Sequence, residues 1–281
     1  MVKQYWLDMM RRLLKVLLSK CILLLLISLT WSSAHSQGLL SYDSDTLPTL
    51  GEIIDARETF EYEVRYGFMT LGWVDVEILP DTTFNGEKAY HFRTRIRSNN
   101  RILFVGTRIV NYESIIQYND QWPYSFVFWR DDIHDDDYDR VRVIFDRVKG
   151  MVDFYERGEY QMSLELEEPA SGGDIIFYYS RLFAGIDTPY EIPVYTENEK
   201  GMVRAVSSND IEYRSYDAFE EPIPTYLSEG TADVEGPFGF RGSFKSWFST
   251  DDLRVPVEAH VRVIFGNVKV RLISYEREGE N

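Results

Sequence analysis

From Phe60 onward apolar and charged side chains alternate almost one for one, and this alternation constrains the chain more than anything else in it. Phe60, Tyr62, Val64 and Tyr66 are separated by Glu61, Glu63 and Arg65. Side chains that switch sides at every residue give a strand with one buried and one wetted face. The same period returns in Val74, Val76 and Ile78. It returns again in Tyr90, Phe92, Thr94 and Ile96, which alternate with His91, Arg93, Arg95 and Arg97 after an Asn85-Gly86 turn signal. Tyr124-Phe126-Phe128 and Val141-Val143-Phe145 carry it further, and the C-terminal pattern is the longest. There Val255, Val257, Ala259, Val261, Val263 and Phe265 reach Gly266-Asn267 and return through Val268, Val270 and Leu272. With Gly266-Asn267 as the loop, Arg262 would stand opposite Arg271, so that face calls for an acidic partner or open water. One segment departs from the rhythm. Ile175, Tyr178, Tyr179 and Leu182 are spaced for a helix over about 174–184, with Asp174 as N-cap and Gly185 beyond its end. The expected fold is therefore mainly β: an antiparallel curved sheet or partly closed barrel of short strands, with one short helix packed on it or plugging one end.

Ahead of this pattern lies a different kind of segment. Lys3, Arg11, Arg12, Lys15 and Lys20 precede the apolar run Cys21–Trp31, and Ala34 and Ser36 supply small residues before Gln37. This is the layout of a secretory signal, with about eleven apolar-leaning residues where a spanning helix needs roughly twenty. Residues 1–36 are thus expected to be a cleaved signal peptide, residues 37–57 a flexible acidic leader, and 58–277 a single β-rich domain. The protein is expected to be exported, periplasmic or outer-membrane associated, with no transmembrane segment in the mature chain. Residues 1–36 carry five basic side chains and one acidic, a net +4, so their removal takes the formal charge from −16 to −20. A chain that acidic repels nucleic acid and anionic lipid surfaces. Its single cysteine, Cys21, falls within the signal, which leaves no thiol nucleophile and no disulfide.

Three pieces of the sequence resemble the domain-of-unknown-function family 3108, a group of bacterial exported proteins. They are Phe60-Glu61-Tyr62-Glu63-Val64 with Gly72 after it, the segment Asp174 to Arg181, and Trp247-Phe248-Ser249-Thr250-Asp251-Asp252-Leu253-Arg254-Val255-Pro256-Val257. The last is the most specific, and the resemblance extends from about 58 to 276. It implies no activity and no catalytic residue.

Several polar groupings invite a chemical reading. Asp131 to Asp139 crowds six aspartates around His134. They offer hard oxygen ligands for a divalent ion, yet the run lacks the glycine and closing glutamate of an EF-hand, so it reads better as a solvated connection between strands. His91, His134 and His260 show no zinc spacing, and no Gly-x-Ser-x-Gly is present. No metal and no cofactor is expected. The candidate ligand-binding residues are Trp247, Asp251, Asp252 and Arg254, together with Arg93 and Arg95 on one strand face. Against this, an Asp-Asp-x-Arg-x-Pro step before a hairpin reads as a turn built on carboxylates, and the arginines read as charge balance for the acidic strands. The function these residues suggest is a non-enzymatic envelope module that binds an apolar or amphiphilic ligand, or a lipid, glycan or envelope-protein partner. The alternative is a glycan hydrolase with dispersed carboxylates.

Overall fold

The computed structural model describes residues 46–278, apart from 103–105, 120, 135–136, 237–239, 264–265 and the side chain of Val263. The signal-like residues 1–36 and residues 37–45 of the acidic stretch lie outside the described residues. All described elements belong to one compact unit, Gln37–Asn281.

Alternation does produce strands, and they are antiparallel throughout. In chain order they are β1 (Thr59–Tyr66), β2 (Met69–Phe84), β3 (Glu87–Ser98), β4 (Arg108–Tyr118), β5 (Pro123–His134), β6 (Asp137–Asp146), β7 (Met151–Glu156) and β8 (Glu159–Glu165). After a helical insertion come β9 (Pro189–Tyr195), β10 (Lys200–Arg214), β11 (Ile223–Gly236), β12 (Phe240–Ser249), β13 (Pro256–Val263) and β14 (Gly266–Glu276). All pair in one sheet of fourteen strands, ordered β8 to β1, then β14 down to β9. Several strands are far from short, β2 reaching 16 residues. Register shifts in β1, β2, β4–β5, β10–β11 and β12–β13 bend these long strands, since each bulge adds local twist.

The bending brings the two ends of the sheet together without a β8–β9 ladder. The Tyr195 hydroxyl, on edge strand β9, donates to the Glu165 carbonyl at the end of β8 and accepts from the Glu167 amide. Gly172 makes an isolated bridge with Tyr195, and Arg130 reaches Glu197 at 3.2 Å. The result is a curved, nearly closed sheet with a concave inner face, as the alternation led us to expect.

Helix α1 (Leu50–Asp55) corrects the reading of residues 46–57 as part of a flexible leader. Thr49 and Glu52 form a capping box, and Ile53 and Ile54 are fully buried. The second helical segment is also more broken than its periodicity suggests. A 3-10 turn (Gly173–Ile175), the single-turn helix α2 (Ile176–Tyr179) and another 3-10 turn (Ser180–Phe183) follow one another. Asp174 is not its N-cap: its carboxylate accepts from the Ser114 hydroxyl of β4, and the segment starts without any side-chain cap. Each of its aromatic residues faces a different wall, so tertiary packing sets the backbone in place of helical regularity.

Two turns can be compared with their sequence signals. Asn85 and Gly86 connect β2 and β3 with φ of 53° and 85°, the left-handed pair that a two-residue hairpin requires. The C-terminal hairpin is shifted from the expected register: Val263 pairs with Gly266 and Arg262 with Asn267, so 264–265 form the connection and lie outside the described residues. This register sets Arg271 against Glu258 instead of Arg262. Opposite charges then face each other, which is the electrostatic reason for preferring it.

Candidate functional site

Paired residues of an antiparallel sheet share a face, so the register identifies what lines the concave side. Phe60 and Tyr62 mark it through their contacts with Phe177 of α2, at ring-centroid distances of 5.1 and 6.1 Å. Around the same segment, Tyr178 packs on Phe92, Tyr179 on Trp122 and Phe183 on Tyr190, at 4.3 to 4.7 Å. The end of the interior nearest α1 and the helical segment is thus filled with aromatic rings. Within this plug Arg181 is fully buried and bonded at 2.7 Å to Glu58, which also accepts from the Tyr275 hydroxyl.

Beyond the plug the inner face continues and its burial becomes mixed: Val268, paired with Val261, is 6% exposed, whereas its neighbours are more open. Val64 pairs with Val270, Val270 with Ala259, and Val261 with Phe244, while Val74 pairs with Tyr62. Val64, Val74, Val270, Ala259, Val261 and Phe244 are only half-buried. Leu272 and Val257, on the same face nearer the plug, are 0% exposed. Water reaches a contiguous apolar trough across β2, β1, β14, β13 and β12. Gly230 opposite Phe244 has a specific reason: a Cβ there would lie 2.8 Å from the Phe244 ring and 2.3 Å from the Arg204 carbonyl.

Further round the same concave face, on β4 to β6, the lining becomes charged. Tyr112, Arg130 and Asp132 occupy the inner phase of β4 and β5, and Asp139 that of β6. Arg108 holds Asp132 at 2.9 Å, and Arg130 bonds Asp139 at 2.5 Å and Glu197 at 3.2 Å. Burial raises the Glu197 pKa against the pull of Arg130, and the Arg108 hydrogen bond lowers that of Asp132. The concave face is therefore amphipathic, aliphatic and aromatic on one side and ionic on the other.

The residues singled out from the sequence lie elsewhere and do not form one site. Arg93 and Arg95 are on the outer face of β3, where Arg93 bonds Glu77 at 2.6 and 3.0 Å. Arg95 is exposed, opposite Asp75 and Asn111. Trp247 is buried on the outer phase of β12, five strands away in the sheet. Its Nε1 donates to Glu212 at 3.0 Å, Arg214 lies 4.2 Å over its ring, and His260 packs at 4.7 Å. Asp251, Asp252 and Arg254 form the turn between β12 and β13. Asp251 is fully buried and accepts from the Ser249 hydroxyl and the Leu253 amide. Arg254, at φ 52°, donates to the carbonyls of Thr250 and Asp251. Asp252 points away to Arg277, at 3.3 Å.

Of the acidic run, Asp131 is held by Arg140 and Asp132 and Asp139 by the inner arginines; both strands extend through it, so the connection is only 135–136, outside the described residues. Among the described residues no group of three or more His, Cys, Asp or Glu side chains is placed to hold a metal ion. No described helix is long and apolar enough to cross a membrane.

Comparison with solved structures gives distant likenesses. One is the crystal structure of a beta-barrel-like protein of domain of unknown function DUF1849 from Brucella abortus, 8% identical, with a TM-score of 0.48 over 80% of this chain and 98% of that one. Another is the crystal structure of LprF from Mycobacterium bovis, also 8% identical, with a TM-score of 0.14 over 81% and 93%. No curated protein matches. The profile described as "Protein of unknown function (DUF3108)" matches residues 61–273. A match over that span means that the chain belongs to the DUF3108 family.

Proposed function

We propose that this protein is an exported cell-envelope binding module that takes an amphiphilic ligand into the trough of its concave face. The observation that carries this reading is the half-buried strip Val64, Val74, Val270, Val261 and Phe244, on the same concave face as Arg108, Arg130 and Asp132. Concave sites that bury an apolar body and offer a few polar groups at one side suit a molecule with a hydrocarbon portion and a polar head. The aromatic plug leaves the other end of the interior full, so the ligand enters from the open end. The signal layout of residues 1–36 supports a periplasmic or outer-membrane location. A glycan hydrolase would need two carboxylates free to act across a cleft. On this face Asp132, Asp139 and Glu197 are all tied to arginines, which favours binding over hydrolysis.

Titration of the mature protein with a dansyl-labelled fatty acid tests the reading. Saturable fluorescence enhancement is expected, reduced at least about tenfold by Phe244→Arg, which sets an unpaired charge in the apolar strip. Enhancement that is absent, or that is unchanged in a folded Phe244→Arg variant, overturns it.

A further inference from the structure

An independent concavity lies on the opposite end of the molecule, beside the helical plug. Asn119, Trp122, Tyr124, Arg147, Glu168 and Pro169 line an open cleft of about 610 Å³. Its aromatic members are fixed in advance. Trp122 stacks on Tyr179 at 4.7 Å and 27°, and Tyr124 is held by its hydroxyl donating to Gln117 and by Phe126 against its edge. Preorganised rings offer contact area at little entropic cost.

The polar members show what kind of molecule would suit them. Arg147 has its guanidinium engaged on all sides, donating to Glu168, to the Ser125 carbonyl and to the Ala170 carbonyl, and it lies 5.0 Å over the Tyr124 ring. Its charge is neutralised locally, so the cleft offers no strong pull for an anion. A cationic guest would meet that same guanidinium. Hydrogen-bonding edges remain. The Asn119 Oδ1 accepts from the Gln121 and Trp122 amides, which turns the Nδ2 group outward as a donor. Each Glu168 oxygen takes one bond, Oε1 from Arg147 and Oε2 from the Ala170 amide, and each keeps a lone pair for a hydroxyl.

We propose that this cleft is a binding site for a neutral saccharide. The C–H face of a pyranose is apolar and slightly positive, complementary to the negative π face of an aromatic ring. Its hydroxyls, both donors and acceptors, match an amide N–H₂ and a carboxylate at the rim. The site rests on different residues from the trough and stands or falls apart from it.

Isothermal titration of the mature protein with two neutral trimers, chitotriose and cellotriose, tests the proposal. At least one should bind saturably at concentrations up to about 10 mM, the range of a weak single site. Trp122→Ala should weaken that binding by about tenfold or more, the scale of one lost aromatic contact. Trp122→Phe keeps a ring on Tyr179 and should retain most of it, which separates loss of the platform from loss of the fold. Phe244→Arg, in the trough, should leave saccharide binding unchanged. Absence of saturable heat with both trimers overturns the proposal. So does binding that survives in a folded Trp122→Ala variant, or that Phe244→Arg abolishes.

Discussion

Replacing Arg181 with methionine should be among the most damaging single changes open to this chain. The guanidinium is fully buried, bonded to Glu58 at 2.7 Å and to the Leu253 carbonyl at 2.8 Å. Methionine removes the charge and leaves the Glu58 carboxylate, itself 1% exposed, facing the Tyr275 hydroxyl, a neutral donor. Breaking one side of a buried pair typically costs about 3–5 kcal/mol, because the remaining charge is uncompensated. For a domain of this size, 1 kcal/mol corresponds to roughly 2–4 °C, so Tm should fall by about 10 °C. Adding Glu58→Gln to Arg181→Met should restore most of that loss, since the orphaned charge is gone and a hydrogen-bonding partner for Tyr275 remains. Chemical denaturation of the wild type, both single variants and the double variant gives the coupling directly. A loss below about 1 kcal/mol for Arg181→Met, or a double variant no more stable than Arg181→Met, would refute the claim that the pair matters chiefly through its burial.

Two further outcomes follow from the β12–β13 turn. Burial pushes the Asp251 carboxyl up to about 6, with the Ser249 hydrogen bond opposing and nearby Glu58 adding to the rise. The folded state therefore binds this proton more tightly than the unfolded chain does. Its contribution to stability is full below pH about 3.8 and lost as pH rises through about 6, on the order of 3 kcal/mol in total. Asp251→Asn should accordingly flatten the stability profile between pH 4 and 6 by about one proton and be at least as stable as wild type at pH 7; an unchanged slope in urea titrations across that range counts against it. In the same turn, Asp251→Ala should cost about 1–3 kcal/mol by stranding the Leu253 amide, whereas Asp252→Ala should stay within about 0.5 kcal/mol because its Arg277 contact is half-exposed. Thermal melts showing the reverse order would place the structural carboxylate at the wrong residue.

How much of this was legible beforehand depends on the range of the interactions concerned. The strands, the Asn85-Gly86 turn and the one-sheet architecture follow from local alternation and turn chemistry. The β12–β13 turn was legible as a turn, but adjacent aspartates carry no mark of which one points inward. Glu58 and Arg181 are 123 positions apart, and nothing in either segment announces that they meet. The shifted C-terminal register turned on Glu258, whose cross-strand position a loop signal cannot specify. The trough was hidden for a different reason: alternation marks Val64, Val74, Val261 and Val270 as inward, and inward apolar residues read as core. A length argument could have exposed it. Helical residues 173–183, mostly in 3-10 turns at about 2 Å per residue, extend about 20 Å, while a 16-residue strand such as β2 extends about 50 Å. A plug that short cannot fill an interior with walls that long, so part of the inward face must be covered by something other than this helix or stay open. The half-burial of Val64, Val270 and Phe244 shows that it stays open, and that mismatch between strand and helix length is the physical basis for placing a ligand there.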